Sequence, residues 1–170
     1  MTRFPAGSRP TELAAALLAL VAAAGVVAPR WSSRRASARD LQRVDDVRRI
    51  RDAIERYHAE RGVYPPAEPD AGHGDWDVSC EGGFLGELVR GGYLPSVPLD
   101  PLGDATHHYG YAVYDAGEYE CVGDGAFYVL GIAKFETEGL RARSSGYFKC
   151  SGRDWNRELA FVTGGGASYQ

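Results

Sequence analysis

The chain has 170 residues, enough for one compact domain and little more. An apolar fraction of 44% and a charged fraction of 25% are those of a globular protein, which excludes disorder as the default state. A net charge of −4 excludes a general nucleic-acid binder, which would be basic.

The charge is unevenly placed. Arg3, Arg9, Arg30, Arg34, Arg35 and Arg39 crowd the first forty residues, and acidic side chains dominate after Glu60. A basic start joined to an acidic head fits that split. Most of the 22 Gly and 10 Tyr lie beyond residue 60, the composition of a turn-rich, strand-bearing head.

The first predicted element is the apolar run 13–28, sixteen residues without a charge or a polar side chain. As a helix it spans roughly 24 Å, short of the ~30 Å hydrocarbon core of a bilayer. Three readings compete. A cleaved secretory signal would use Ala22-Ala23-Ala24 as its small-residue site. A plain anchor, with two arginines before the run and four after it, would leave the head in the cytoplasm. The third reading uses Gly7, Glu12 and Pro29, which flank the run. A carboxylate at the edge of such a segment is costly without a partner, and a free amino terminus made by cutting after Gly7 would supply one. Pro29 would loosen the far end by removing a backbone donor.

Gly, Glu five positions on, an apolar run and then Pro resembles the start of type IV pilins and of the pseudopilins of type II secretion. Here it reads Gly7, Ser8-Arg9-Pro10-Thr11-Glu12, residues 13–28 and Pro29. The resemblance implies that a prepilin peptidase cuts between Gly7 and Ser8. It also implies that Glu12 pairs with the amino terminus of a neighbouring subunit during assembly. The family usually has Phe or Met after the Gly and apolar residues before the Glu; this chain has Ser8, Arg9 and Pro10 there.

Next, Leu41, Val44, Val47, Ile50, Ile54 and Tyr57 recur at three or four residues and predict one apolar stripe on a helix. Asp40 is a candidate N-cap, and Gly62 with Pro65 and Pro66 marks the stop. Asp45, Asp46, Arg48, Arg49, Arg51, Asp52, Glu55 and Arg56 read as solvated faces. Joined to the apolar run, this predicts an almost continuous helix over 11–60.

In the head, Phe84, Leu85, Leu88 and Val89 predict a short helix ended by Gly91-Gly92. Residues 109–114 and 126–135 predict two strands, and "DAGEYECVGDG" between them suits a hairpin connection. "ELAFVT" is a third candidate strand. "GVYP", "LVRGGYLPSVPLDP" and "YGYAV" resemble the head of the major pseudopilin, and "FYVLGIAKFET" resembles the last strand of pilin-like heads. The resemblance covers roughly residues 7 to 136. No Asp-rich run matches the calcium loop of the major pseudopilins, so no calcium site is carried over.

Candidate chemistry elsewhere is thin. His107 and His108 are adjacent, so on a strand they point to opposite faces, and no third ligand follows at a suitable spacing. His58 and His73 read as isolated and exposed. The glycine-rich "GDGA" and "TGGGAS" lack the Lys and helix of a phosphate loop. Ser144-Ser145 sits in no Gly-x-Ser-x-Gly elbow. No metal ligand, catalytic residue or cofactor is assigned. For the three cysteines, a Cys121–Cys150 disulfide is expected if the head is exported, leaving Cys80 as the odd thiol. Cys80–Cys121 pairing, or none, stays open.

The expectation is therefore an α+β, pilin-like fold: a long N-terminal helix, membrane half plus amphipathic half, packed on a small antiparallel sheet. Residues 1–7 form a leader, 8–28 the apolar membrane and assembly helix, 29–61 the amphipathic helix and 62–170 the head. The expected role is a non-enzymatic filament subunit, held first in the inner membrane with its head on the outer side. Its expected partners are its own copies and related subunits, prepilin peptidase, an inner-membrane assembly platform and, before assembly, membrane lipid. The alternative is a secreted or membrane-anchored binding domain with an ordinary signal sequence.

Overall fold

An apolar stripe at helical spacing in the first third of the chain and short apolar or tyrosine-rich strands in the rest give an α+β protein. The computed structural model describes residues 10–141 and 148–167, with the side chains of the first helix described from residue 32 onward. Helix α1 runs Pro10–Arg61, 52 residues. The chain divides into two units, Met1–Ala36 and Ser37–Gln170, and the account below concerns the second.

Among the described residues, four strands form one antiparallel sheet in the order β1-β2-β3-β4: β1 Asp77–Val78, β2 Tyr109–Tyr114, β3 Phe127–Ile132 and β4 Phe161–Gly165. β2 has the expected bounds, β3 is shorter than expected at both ends, and "ELAFVT" supplies most of β4. The two-residue β1 is too short to leave a periodicity in the sequence. β2 and β3 pair from Tyr109 opposite Ile132 to Tyr114 opposite Phe127, and β3 continues into β4 with Ile132 opposite Phe161. Helices α2 (Gly86–Arg90) and α3 (Glu138–Arg141) are single turns. Gly91 and Gly92 follow α2 as expected.

The sheet is covered on both faces, because successive side chains of a strand point to opposite sides. Tyr109, Tyr111, Tyr128, Leu130 and Ile132 pack with Val44, Val47, Ile50, Ile54 and Tyr57 of α1. Ala112, Tyr114, Phe127, Val129 and Val162 pack on the other face with Phe148, Trp155, Leu159 and the Cys121–Cys150 pair. Every residue of β3 is buried, which is why its sequence, FYVLGI, is apolar throughout. Gly131 is required by close approach: a Cβ there would lie 2.5 Å from the Phe161 carbonyl oxygen and from Leu159 Cδ1.

Two expectations for α1 need correction. Among the described residues, no helix is long and apolar enough to cross a membrane. This overturns the single-pass inner-membrane location with an outward head. Over 32–61, where the side chains of α1 are described, charged residues recur at almost every turn and leave no apolar window of the ~20 residues that a span needs. Leu41 is the second: it is 56% exposed rather than part of the stripe. Steps of three residues each lag a 3.6-residue turn by roughly 60°, so three of them put Leu41 about half a turn from Ile50.

Candidate functional site

The same helical arithmetic places a charge at the centre of the buried face of α1. Arg43 lies seven residues, two turns, before Ile50, and its side chain is fully buried. Its Nε and Nη2 donate to Asp100 Oδ2 and Oδ1 at 2.7 and 3.0 Å. Its Nη1 donates to Asp40 Oδ1 at 2.7 Å and to Glu136 Oε1 at 2.8 Å. Arg39 Nε donates to Glu136 Oε1 at 2.7 Å. Asp40 is not an N-cap but a buried residue inside α1. It accepts from the backbone N–H of Glu136 and of Thr137, both at 2.9 Å, and from Thr137 Oγ1 at 2.7 Å.

This network joins α1 to the Leu99-Asp100-Pro101 loop ahead of β2 and to the segment after β3. Hydrogen bonding to Arg39 holds the Glu136 carboxyl at about 2; burial opposes the shift and Arg43 adds to it. Burial works against the Arg43 charge, but its three carboxylate partners outweigh that and raise its pKa.

Two residues placed on the solvated faces also reach the sheet. Asp46 is buried, accepting from Tyr109 Oη at 3.0 Å and pairing with Arg49. Glu55 accepts from Tyr128 Oη at 2.7 Å. Burial, then the neighbouring carboxylate, pushes both tyrosines well above their ordinary range. The outward face of α1 carries Ala38, Leu41, Gln42, Asp45, Arg48 and Arg49 around an open recess of about 680 Å³. Its one large apolar side chain is Leu41.

On the far face of the sheet, Cys121 and Cys150 form the expected disulfide, with Cα atoms 4.9 Å apart. It ties the segment carrying Trp155 to the hairpin between β2 and β3. Arg153 beside it lies 4.9 Å from the Tyr119 ring centroid and 5.3 Å from that of Trp155, and pairs with Glu158 at 2.7 Å.

A second group of titratable side chains gathers at the loop around β1. Cys80 is a free thiol. His73 is half-buried rather than exposed, and its ring meets His108 edge-on at 5.5 Å. Burial lowers the His108 pKa, and Nδ1 of that ring is buried without a hydrogen-bond partner. His107 instead faces Asp104 at 3.1 Å. A recess of about 270 Å³ opens here between His73, Trp76, His108, Gly110 and Leu159.

Gly7 and Ser8, the expected processing site, lie outside the described residues, as do Ser144 and Ser145. Glu12 and Pro29, the expected assembly residues, fall within α1, but their side chains lie outside those described. The buried ion network escaped sequence reading because its members look like ordinary surface charges. The available signal was the seven-residue spacing Arg43, Ile50, Tyr57, which puts a cation on the apolar line. No protein-family model matches the chain, and neither does any curated protein or solved structure.

Proposed function

We propose that the chain is a structural subunit of a type IV pilus-like or type II secretion pseudopilus filament, assembled through its N-terminal helix. The observation that carries the reading is the length of α1 against the use its head makes of it. The helix runs Pro10–Arg61, about 78 Å at 1.5 Å per residue. Helices that serve only a domain's own core average about 10–14 residues. Among the described residues of α1, the buried ones fall between Asp40 and Tyr57. Upstream of them lies the run 13–28, whose sequence is apolar on every side and suits burial against identical helices. Removing apolar area from water, at about 25 cal/mol per Å², drives that association.

In this reading prepilin peptidase cuts between Gly7 and Ser8, and Glu12 pairs with the new amino terminus of a neighbouring copy. That pair sets register, since a buried ion pair contributes little net stability. Leu41, outward on α1, is a candidate contact with an adjacent subunit. A disulfide under the sheet and a buried ion network at the helix suit a head that must stay folded while its helix is engaged elsewhere.

The intact mass and amino-terminal sequence of the protein from its native source test the processing step. A start at Ser8 is expected; a start at Gly25 or beyond makes the run an export signal and ends the assembly reading. Glu12→Ala tests the pairing: filament incorporation should fail while the head folds normally. Unchanged incorporation would remove Glu12 from the assembly step.

A further inference from the structure

We propose that His73, Cys80 and Glu81 form a zinc site, with His108 as fourth donor, that staples the loop 70–81 to the start of β2. One ligand atom from each of the first three lies within 4.8 Å of the other two. Around a tetrahedral zinc ion, with Zn–S ≈ 2.3 Å and Zn–N or Zn–O ≈ 2.0–2.1 Å, donor atoms stand roughly 3.3–3.6 Å apart. Closing on the ion therefore asks about 1 Å of side-chain movement.

The loop is held in place by its own hydrogen bonds. The backbone N–H groups of His73 and Trp76 donate to Asp70 O and His73 O, and that of Asp70 donates to Trp76 O. The Val78 N–H donates to Asp70 Oδ2 at 2.8 Å. Ser79 joins the loop to β2 by giving its N–H to the Tyr109 carbonyl and accepting the Tyr109 N–H on Oγ. Cys80 and Glu81 follow directly, so two of the donors sit on backbone fixed to the sheet. His108 immediately precedes β2 on that same sheet.

Two of these donors are left over by the rest of the fold. The disulfide consumes two of three cysteines and leaves Cys80 as a lone thiol. Buried polar nitrogens are nearly always paired, yet His108 Nδ1 has no hydrogen-bond partner, and its ring lies edge-on to His73. A mixed sulfur, imidazole and carboxylate set selects zinc over calcium or magnesium, which take oxygen ligands. Three donors lie within reach of one ion, and His108, its ring centroid 5.5 Å from that of His73, would close the site as structural zinc sites are closed. None of this depends on the filament reading.

The test uses the full chain with its disulfide intact, and reads alkylation of Cys80 by iodoacetamide as added mass. Zinc chloride should slow the reaction at least ~10-fold, and a chelator should reverse the effect. His73→Ala and Glu81→Gln should each raise the zinc Kd at least ~10-fold, by analogy with the loss of a supporting group. Cobalt(II) should give a thiolate-to-metal charge-transfer band that is absent in Cys80→Ser. Equal alkylation rates with and without zinc overturn the proposal, and need no variant to fold. Undiminished protection in His73→Ala overturns the ligand set, and undiminished affinity in His108→Ala removes the fourth donor.

Discussion

Arg43 holds both carboxylate oxygens of Asp100, 57 residues further along the chain, at 2.7 and 3.0 Å, and neither side chain reaches solvent. One arginine on α1 thereby fixes where the loop before β2 crosses the helix. Asp40, a turn away, does the same for the segment after β3 by accepting its backbone N–H groups.

Removing the cation should be costly. Arg43→Ala leaves Asp40 and Asp100 buried without their counter-charge, and breaking such a pair costs about 3–5 kcal/mol. Urea denaturation of the variant should show a midpoint well below that of the parent. A stability loss of only about a few tenths of a kcal/mol would mean that water enters and replaces the guanidinium.

Glu136 gives the network a pH dependence. Its folded pKa of about 2 lies below its ordinary value of 4.5, so it is a depressed carboxylate. Its contribution is present above about 4.5 and lost as pH falls towards about 2, because the unfolded chain takes up the proton first. Stability measured across that window should fall with acid, and Glu136→Gln should be less stable at neutral pH with a flatter acid limb. Parallel limbs for parent and variant would assign the acid loss to other groups.

The disulfide closes a loop with a sequence separation of 29. A cross-link of that length restricts the unfolded chain by about 3–4 kcal/mol. Cys121→Ala/Cys150→Ala should lower stability by that amount, read as a lower thermal midpoint, and reductant should shift the parent but not the variant. Cys80→Ala, measured without added metal, should leave the reductant response intact. If reductant shifts parent and variant alike, the cross-link is not its target.

Leu41 separates folding from assembly. It is 56% exposed on the outward face of α1, so Leu41→Glu should change the stability of the head by no more than about 0.5 kcal/mol. In the filament reading the same substitution weakens self-association, measured by sedimentation of the processed chain. Equal association of parent and Leu41→Glu would place the subunit contact elsewhere.

The sequence by itself determined the elements whose signal is local. The spacing of Val44, Val47, Ile50, Ile54 and Tyr57 specified the buried face of α1, and the tyrosine-rich 109–114 segment specified β2 with its bounds. For the cysteines, the sequence favoured Cys121–Cys150 in an exported head but left Cys80–Cys121 or no pairing open, and the folded chain brings Cys121 and Cys150 together. Only the tertiary structure decided what the charges do. The partners of Asp40, Arg43 and Asp46 lie 57 to 97 residues away, so the seven-residue spacing that puts Arg43 on the apolar line does not say which carboxylates it meets there. The gathering of His73, Cys80 and Glu81, with His108 beside them, has the same origin. The β1–β2 pairing brings the loop at 70–81 against residue 108, and that register is a property of the folded sheet.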